Sequence, residues 1–413
     1  MRILFVGFPY SVHAARWTSL VAQEGWDLHF FPSQDNNYIH PGFRNISVWS
    51  GYSRHRPRQC HDSLRMVGLW PFATNEAVVR RLLPLLGPSW FDRAEWLAWV
   101  IRMIEPDIVH SLEFQHAGYL AYTAKHRSNR PFPTWIATNW GCDIHFYGRF
   151  AEHRVKITEI LRECDYYSCE CERDIALARQ LGLRGVALPV LPNSGGLDLD
   201  DAASLRQPGP SSTRRIIAVK GYHRHLHRAQ VALRALAICA DVLHDYTIRV
   251  YSPETEELIE IQAELIAAET GLVIELMPPV SHDEMLRLHG SARISISLSL
   301  SDGICTSMLE AMVMGSFPIQ SNTACANEWV EDGVTAFLVP PEDPHTIADR
   351  IRQAIACDRL IDQAAALNSA MAEKRLDRSQ IKRVAVEEFY QRVFAERCRR
   401  SGTHAAGQGI AGG

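Results

Sequence analysis

Ser301-Asp302-Gly303-Ile304-Cys305-Thr306-Ser307-Met308-Leu309-Glu310-Ala311-Met312-Val313-Met314-Gly315 follows the apolar, strand-like run Ile294 to Leu300. It sets two acids eight positions apart, one in a turn after a strand and one inside the next helix. Glycine at 303 adopts backbone angles that a side chain forbids and lets a ligand approach the main chain. Thr306 or Ser307 opens the helix, whose first amides and dipole favour an anion such as a diphosphate. Glu310, about one turn in, can accept two hydroxyl donors, as a ribose diol offers, and Asp302 can grip the hydroxyls of a sugar beyond the diphosphate. Gly315 closes the helix. The competing reading is a capping box, with Ser307 at the N-cap and Glu310 reaching back to a backbone donor.

The flanking residues tip the balance towards a ligand site. After Glu310-Ala311-Met312 and Gly315 come Phe317-Pro318-Ile319-Gln320-Ser321, Asn327-Glu328-Trp329, Glu331-Asp332-Gly333 and Phe337-Leu338-Val339-Pro340-Pro341. In order and spacing, Ser299 to Asp343 resembles the donor-binding half of glycosyltransferase family 4, retaining enzymes of GT-B fold. That family carries Glu where this chain has Asp302, one methylene shorter. The resemblance implies an α/β protein with two Rossmann-like parallel-sheet domains facing a central cleft. It also implies a nucleotide-sugar donor and a sugar, glycolipid or small-molecule acceptor.

Composition agrees with two domains. The 413 residues are 46% hydrophobic and 22% charged, with a formal net charge of -4, a balance that suits a soluble globular enzyme and gives no general attraction to nucleic acid. Met1 to Gly7 reads as a buried strand ending in a glycine turn, with no charged leader before it, and no apolar run reaches membrane-spanning length. A cytoplasmic location is therefore expected. The ten cysteines form no CxxC pair or zinc-finger spacing, so neither disulfides nor a metal are expected, and no cofactor beyond the donor substrate.

Strand-like and helix-like segments alternate along the chain, as parallel sheets flanked by helices require. Expected strands are Arg2 to Val6, Asp27 to Phe31, Asp107 to Ser111, Thr134 to Asn139 and Tyr166 to Glu170. In the second half they are Arg215 to Gly221, Tyr246 to Ser252, Val273 to Leu276, Ile294 to Leu300, Phe317 to Ser321 and Ala336 to Pro340. The domain expectation is residues 1–200 for the acceptor domain, 201–213 for a linker containing Pro208, Gly209 and Pro210, and 214–376 for the donor domain. Residues 377–400 form a helix that, by resemblance, crosses back to the first domain, and 401–413 a flexible tail. Asp198-Leu199-Asp200 imitates the metal motif of single-domain glycosyltransferases but falls at the expected hinge, where it reads as linker charge.

Ligands of open α/β sheets gather beyond the carboxyl ends of strands. Lys220-Gly221-Tyr222-His223-Arg224-His225-Leu226-His227-Arg228 falls at one such end. The family has Gly-Arg here and a later Lys. This chain has Gly221-Tyr222, so Lys220 and Arg228 are the cations expected to neutralise the leaving diphosphate, against the alternative of a solvated basic loop. Gly7 and the stretch Gly303, Ile304, Cys305, Thr306 and Ser307 complete the expected donor site. In the first half, Trp140 stands where relatives have a His before Gly141. Trp140 and Asp143 are candidate sugar contacts, Glu113 or His116 a candidate orienter of an acceptor hydroxyl, and His110 reads as a satisfied interior histidine. The Trp- and Leu-rich stretch Val78 to Ile104 reads as core. Its alternative is an interfacial surface for a lipid-linked acceptor at the inner face of the membrane.

Overall fold

The computed structural model of the protein describes residues 1–34, 38–50, 56–68, 92–222, 226–253 and 257–407, the last eight as backbone only. The chain forms two compact units, Met1–Gly195 with the segment from Ile381 onward, and Gly196–Gln380.

The first unit is built on an eight-stranded sheet in the order β4-β3-β2-β1-β5-β6-β7-β8. Its strands are β1 (Arg2–Gly7), β2 (Asp27–Pro32), β3 (Ser47–Ser50), β4 (Arg65–Gly68), β5 (Ile108–Leu112), β6 (Thr134–Thr138), β7 (Tyr166–Ser168) and β8 (Val186–Ala187). Every pairing is parallel. The central strands read as continuous apolar runs because helices cover both faces of a parallel sheet. Helix α1 (Val12–Leu20) lies between β1 and β2, and Ser11 caps it by accepting from the Ala14 amide. Helix α2 (Arg93–Ile104) is capped by Asp92, buries Leu97, Val100, Ile101 and Ile104, and leaves Trp99 and Met103 exposed. The described part of the Trp-rich stretch thus packs mainly into core. Its remainder, with Arg80, Arg81, Leu82, Leu83, Leu85, Leu86 and Trp90, lies outside the described residues. Helices α3 (Tyr119–Arg127), α4 (Ala151–Glu163) and α5 (Glu172–Gln180) follow β5, β6 and β7.

The second unit carries a six-stranded, wholly parallel sheet in the order β11-β10-β9-β12-β13-β14. The strands are β9 (Ile216–Lys220), β10 (Thr247–Tyr251), β11 (Val273–Leu276), β12 (Ala292–Ser297), β13 (Phe317–Ser321) and β14 (Phe337–Val339). The stretch read as a linker belongs to this unit. Asp198 caps α6 (Leu199–Ser204) by accepting from the Asp201 amide, and Ser212 donates its amide and hydroxyl to Asp362 at 3.0 and 2.8 Å. These polar residues fold because their side chains satisfy backbone and carboxylate partners, which composition does not reveal. The remaining helices are α7 (Ala229–Ile238), α8 (Glu257–Thr270), α9 (His282–Ser291), α10 (Thr306–Met314), α11 (Pro344–Ala356) and α12 (Asp358–Arg375).

Helix α13 (Arg378–Val384), a π-helical turn (Ala385–Gln391) and α14 (Arg392–Gly407) end the described chain. From Ile381 they pack with the first unit, burying Val386, Phe389, Tyr390 and Val393 in its core. Helix α14 continues through Ser401 to Gly407, part of the stretch expected to be a flexible tail, because an established helix extends one hydrogen bond at a time. All ten cysteines are free thiols. Among the described residues no helix is long and apolar enough to cross a membrane.

Candidate active site

The second-unit site begins with strand register. Lys220 ends β9 beside Tyr251, the last residue of β10, and β12 runs parallel on the other side of β9. The chain leaves β12 and turns through Ser301 to Cys305 into α10. Asp302 Oδ1 accepts from the Gly303 amide at 2.9 Å, and the Gly303 carbonyl accepts from the Cys325 amide at 2.8 Å, which pins the turn. Leu226 and Arg228 bond Leu300 and Leu298 through the backbone, holding the basic loop against the same turn. His223, Arg224 and His225 lie outside the described residues.

The helix start decides between the two readings of the Ser307–Glu310 spacing. Cys305, not Ser307, is the N-cap of α10, and among the described residues it makes no side-chain capping bond. The capping box is therefore absent. The first turn offers its amides without a side-chain cap, the arrangement that attracts an anion. Ser307 instead bonds the Tyr251 hydroxyl. Glu310 is buried and its Oε1 lies 2.8 Å from His282 Nε2. Gly315 closes the helix at φ 78°, a left-handed conformation suited to glycine.

Lys220 Nζ reaches Cys305 Sγ at 3.8 Å and sits 5.1 Å from the Tyr222 ring centroid. Tyr222, in the family's Arg position, thus supplies a cation–π face to the lysine. Burial works against the Lys220 ammonium, but Cys305, Tyr251, Asp302 and Tyr222 outweigh it and hold its proton. His227 is driven the other way. Burial, Lys220 and Arg228 lower it to about 3, so it stays neutral and adds no positive charge to the site. Arg228 is the N-cap residue of α7 and its Nε lies 3.2 Å from Glu342 Oε1. The structure therefore gathers Lys220, Asp302, Gly303, Ile304, Cys305, Thr306, Ser307 and Glu310 around the start of α10, and directs Arg228 to an exposed carboxylate. Sequence reasoning missed Tyr251, His282 and Glu342. Ser281-His282-Asp283-Glu284 was a legible signal, since it is a capping box that fixes where α9 starts.

A second cluster lies beyond β1, β5 and β6 in the first unit. Glu113 has φ 86°, a costly angle for a non-glycine residue, and its carboxylate accepts from the amides of His116 and Ala117. Asp143 Oδ2 accepts from the amides of Phe114 at 2.9 Å and Trp140 at 2.8 Å. Burial and then the Glu113 carboxylate push the Asp143 carboxyl well up. Both acids thus serve first as backbone acceptors that shape the loop. Phe8 touches His116 and Trp140 with ring centroids at 4.9 and 6.5 Å, and His13 faces Trp140 at 5.9 Å. Phe8 and His13 were not singled out by sequence. The Trp140 indole N–H is buried without a partner among the described residues. Gly7 ends β1, where a Cβ would meet Leu112 Cβ at 3.3 Å, so strand packing accounts for it. His110 is fully buried between the Tyr390 hydroxyl at 2.9 Å and Thr138 Oγ1 at 2.5 Å, a satisfied interior histidine.

Comparison with known proteins agrees with this geometry. Residues 201–373 match the family described as Glycosyl transferases group 1. Over 124 residues the chain is 29% identical to a D-inositol 3-phosphate glycosyltransferase of Nocardioides sp. (strain ATCC BAA-499 / JS614). That match covers 29% of this chain and 27% of the relative. Sucrose-phosphate synthase from Thermosynechococcus elongatus superposes with TM-score 0.67 at 14% identity, over 96% of this chain and 100% of that one. Anabaena HepE, solved with UDP-glucose, gives 0.66 at 16% identity, over 93% and 98%. Residues 201–373 of the second unit are therefore similar to the group 1 glycosyl transferases, in a chain that has the GT-B fold of these structures.

Proposed function

We propose that this protein is a retaining, metal-independent glycosyltransferase of family 4. It moves a sugar from a nucleotide-sugar donor to an acceptor hydroxyl in the synthesis of a cell-surface polysaccharide, glycolipid or other glycoconjugate. The observation that carries the reading is the meeting of Lys220, Asp302 and Glu310 around an uncapped helix start at the carboxyl ends of β9 and β12. A cation, a row of amides and two separated carboxylates are what a diphosphate flanked by a ribose and a sugar needs. Asp198 of the Asp198-Leu199-Asp200 stretch accepts from the Asp201 amide as a helix cap, which supports reading it as structural.

In this reading Glu310 takes the ribose, Asp302 the donor sugar, and Lys220 with the α10 amides the diphosphate. The bond from the sugar C1 to the phosphate oxygen breaks with its electron pair passing to the diphosphate. The acceptor oxygen bonds C1 on the same face, and its proton goes to a phosphate oxygen. Lys220 stabilises the charge that develops on the leaving group, the electrostatic contribution that dominates such transfers. Trp140, Asp143, Glu113 and His116 shape the acceptor side.

The replacement of the family's Arg by Tyr222 favours a second reading, a catalytically inactive partner subunit. A sugar-nucleotide epimerase is the third outcome to distinguish. The experiment is calorimetric titration with UDP-, GDP-, ADP- and dTDP-sugars without added metal, with Glu310→Ala as control. A product screen with hydroxyl acceptors, D-inositol 3-phosphate among them, then follows. One donor should bind, and the variant should lose it by about ten-fold or more. A new glycoside supports transfer, an isomerised donor means epimerase, and no product means partner subunit.

A further inference from the structure

We infer that His282 is a positioning residue for ribose recognition, holding the Glu310 carboxylate in the orientation that receives the two ribose hydroxyls. The inference rests on the donor-site reading above.

The argument starts from the fixed origin of α9. Ser281 Oγ accepts from the Glu284 amide at 3.3 Å, while Glu284 Oε2 accepts from the Ser281 amide at 2.9 Å and its hydroxyl at 2.7 Å. This reciprocal cap fixes the backbone on which His282, the first helical residue, stands. From there His282 Nε2 lies 2.8 Å from Glu310 Oε1. The histidine side chain is 37% exposed and the glutamate 9%, so a nearly buried carboxylate is met by a partly exposed ring. His289, on the same helix, bonds Ser295 through Nδ1 at 2.9 Å, and burial keeps it neutral. His282 is thus the histidine whose bond goes to Glu310 itself.

A glutamate side chain turns about three bonds, and a carboxylate that serves a diol must present both oxygens together. A lateral N–H bond to Oε1 removes that freedom before the ligand arrives. The predicted consequence is specific to the sugar of the nucleotide. Without His282 the site loses its preference for two adjacent hydroxyls, while the diphosphate contacts at Lys220 and α10 persist.

The test is calorimetry of UDP, GDP and ADP against their 2′-deoxy counterparts with the wild-type protein, His282→Phe and His282→Gln. For the base that the wild type binds, His282→Phe should weaken the ribonucleotide about ten-fold and leave the deoxynucleotide nearly unchanged. His282→Gln, which restores a donor and guards against a folding artefact, should recover part of the ribose preference. An unchanged ratio of the two affinities in His282→Phe overturns the inference alone. A wild-type protein that binds no nucleoside diphosphate overturns the donor-site reading and this inference together.

Discussion

Lys220 and Arg228 are both basic and both near the start of α10, yet their surroundings separate their roles. Lys220 is partly buried against Cys305 and Tyr222, with Asp302 among the groups that hold its proton. Arg228 faces Glu342, whose side chain is 66% exposed, and a pair that wet is worth at most about 1 kcal/mol. Lys220→Met should therefore cut turnover of the nucleotide sugar by about 10²–10³-fold, the scale for removing a preorganised charge at a leaving group. Arg228→Ala should cost about ten-fold or less. Steady-state kinetics on both variants checks this, and a larger loss at Arg228 would move the diphosphate away from Lys220. At this scale spacing along one segment is enough to single out Asp302, Gly303 and Glu310 as candidates. The sequence was illegible where the partner comes from another strand or helix. Tyr251 reaches Lys220 through β9–β10 register, and His282 reaches Glu310 from α9, neither of which a linear spacing encodes.

Two glycines set the elements that carry these side chains. At Gly221 a Cβ would lie 2.7 Å from Pro253 Cα and 2.9 Å from the Tyr251 carbonyl oxygen, so backbone rather than a flexible side chain would have to move. At Gly315 the strain is conformational, since φ is 78° and the added Cβ would also meet Ser211 Oγ at 3.1 Å. Gly315→Ala is expected to lose about 1 kcal/mol or slightly more, and Gly221→Ala about 1–3 kcal/mol. The variants should differ in function as well. Gly221→Ala displaces the residue next to Lys220 and should weaken nucleotide binding several-fold, whereas Gly315→Ala, at the far end of α10, should leave it nearly intact. Urea titration and calorimetry read the two effects, and equal binding by both variants would uncouple the Gly221 turn from the site. The interior strands were legible because parallel strands covered on both faces are unbroken apolar runs, and their observed ends fall within two or three residues of expectation. The short strands β3, β4 and β8, at or next to the edges of the first sheet, were not, because a few residues flanked by loops carry no periodicity. The stretch 201–213 was misread for a related reason. Pro, Gly and Ser signal breaks in regular structure, and the capped helix α6, the Gln207 amide on the Gly290 carbonyl and the Ser212–Asp362 bonds show that this segment is packed.

At the scale of the whole molecule, the balance of buried titratable groups gives stability a pH dependence that can be read separately for the first unit. Nine of the ten tryptophans lie at or before position 140, so intrinsic fluorescence reports on that unit. Within it, burial lowers His110 to about 3 and His145 to about 4, the latter with help from Arg173 and Arg149. Burial also lowers His29 and His40 from the ordinary 6.5. A base with a depressed folded pKa is neutral in the fold and takes a proton on unfolding. Its contribution is therefore complete above about pH 6.5 and is lost as pH falls from there towards 4. Each proton taken up only by the unfolded chain gives a slope of about 1.4 kcal/mol per pH unit. Asp143 and Asp174 act in the opposite sense, because burial raises both carboxyls, and the fold then keeps protons that the unfolded chain releases above about pH 4. Below about pH 6.5 the four histidines are expected to outweigh the two carboxyls, so stability should rise with pH there. The fluorescence midpoint in urea should consequently be lower at pH 5.0 than at pH 7.5. Asp143→Asn, which removes one opposing group, should steepen the difference if the variant keeps its loop. A midpoint that is flat or rises towards pH 5.0 would mean that the raised Asp143 and Asp174 carboxyls, and not the histidines, govern the acid stability of this unit.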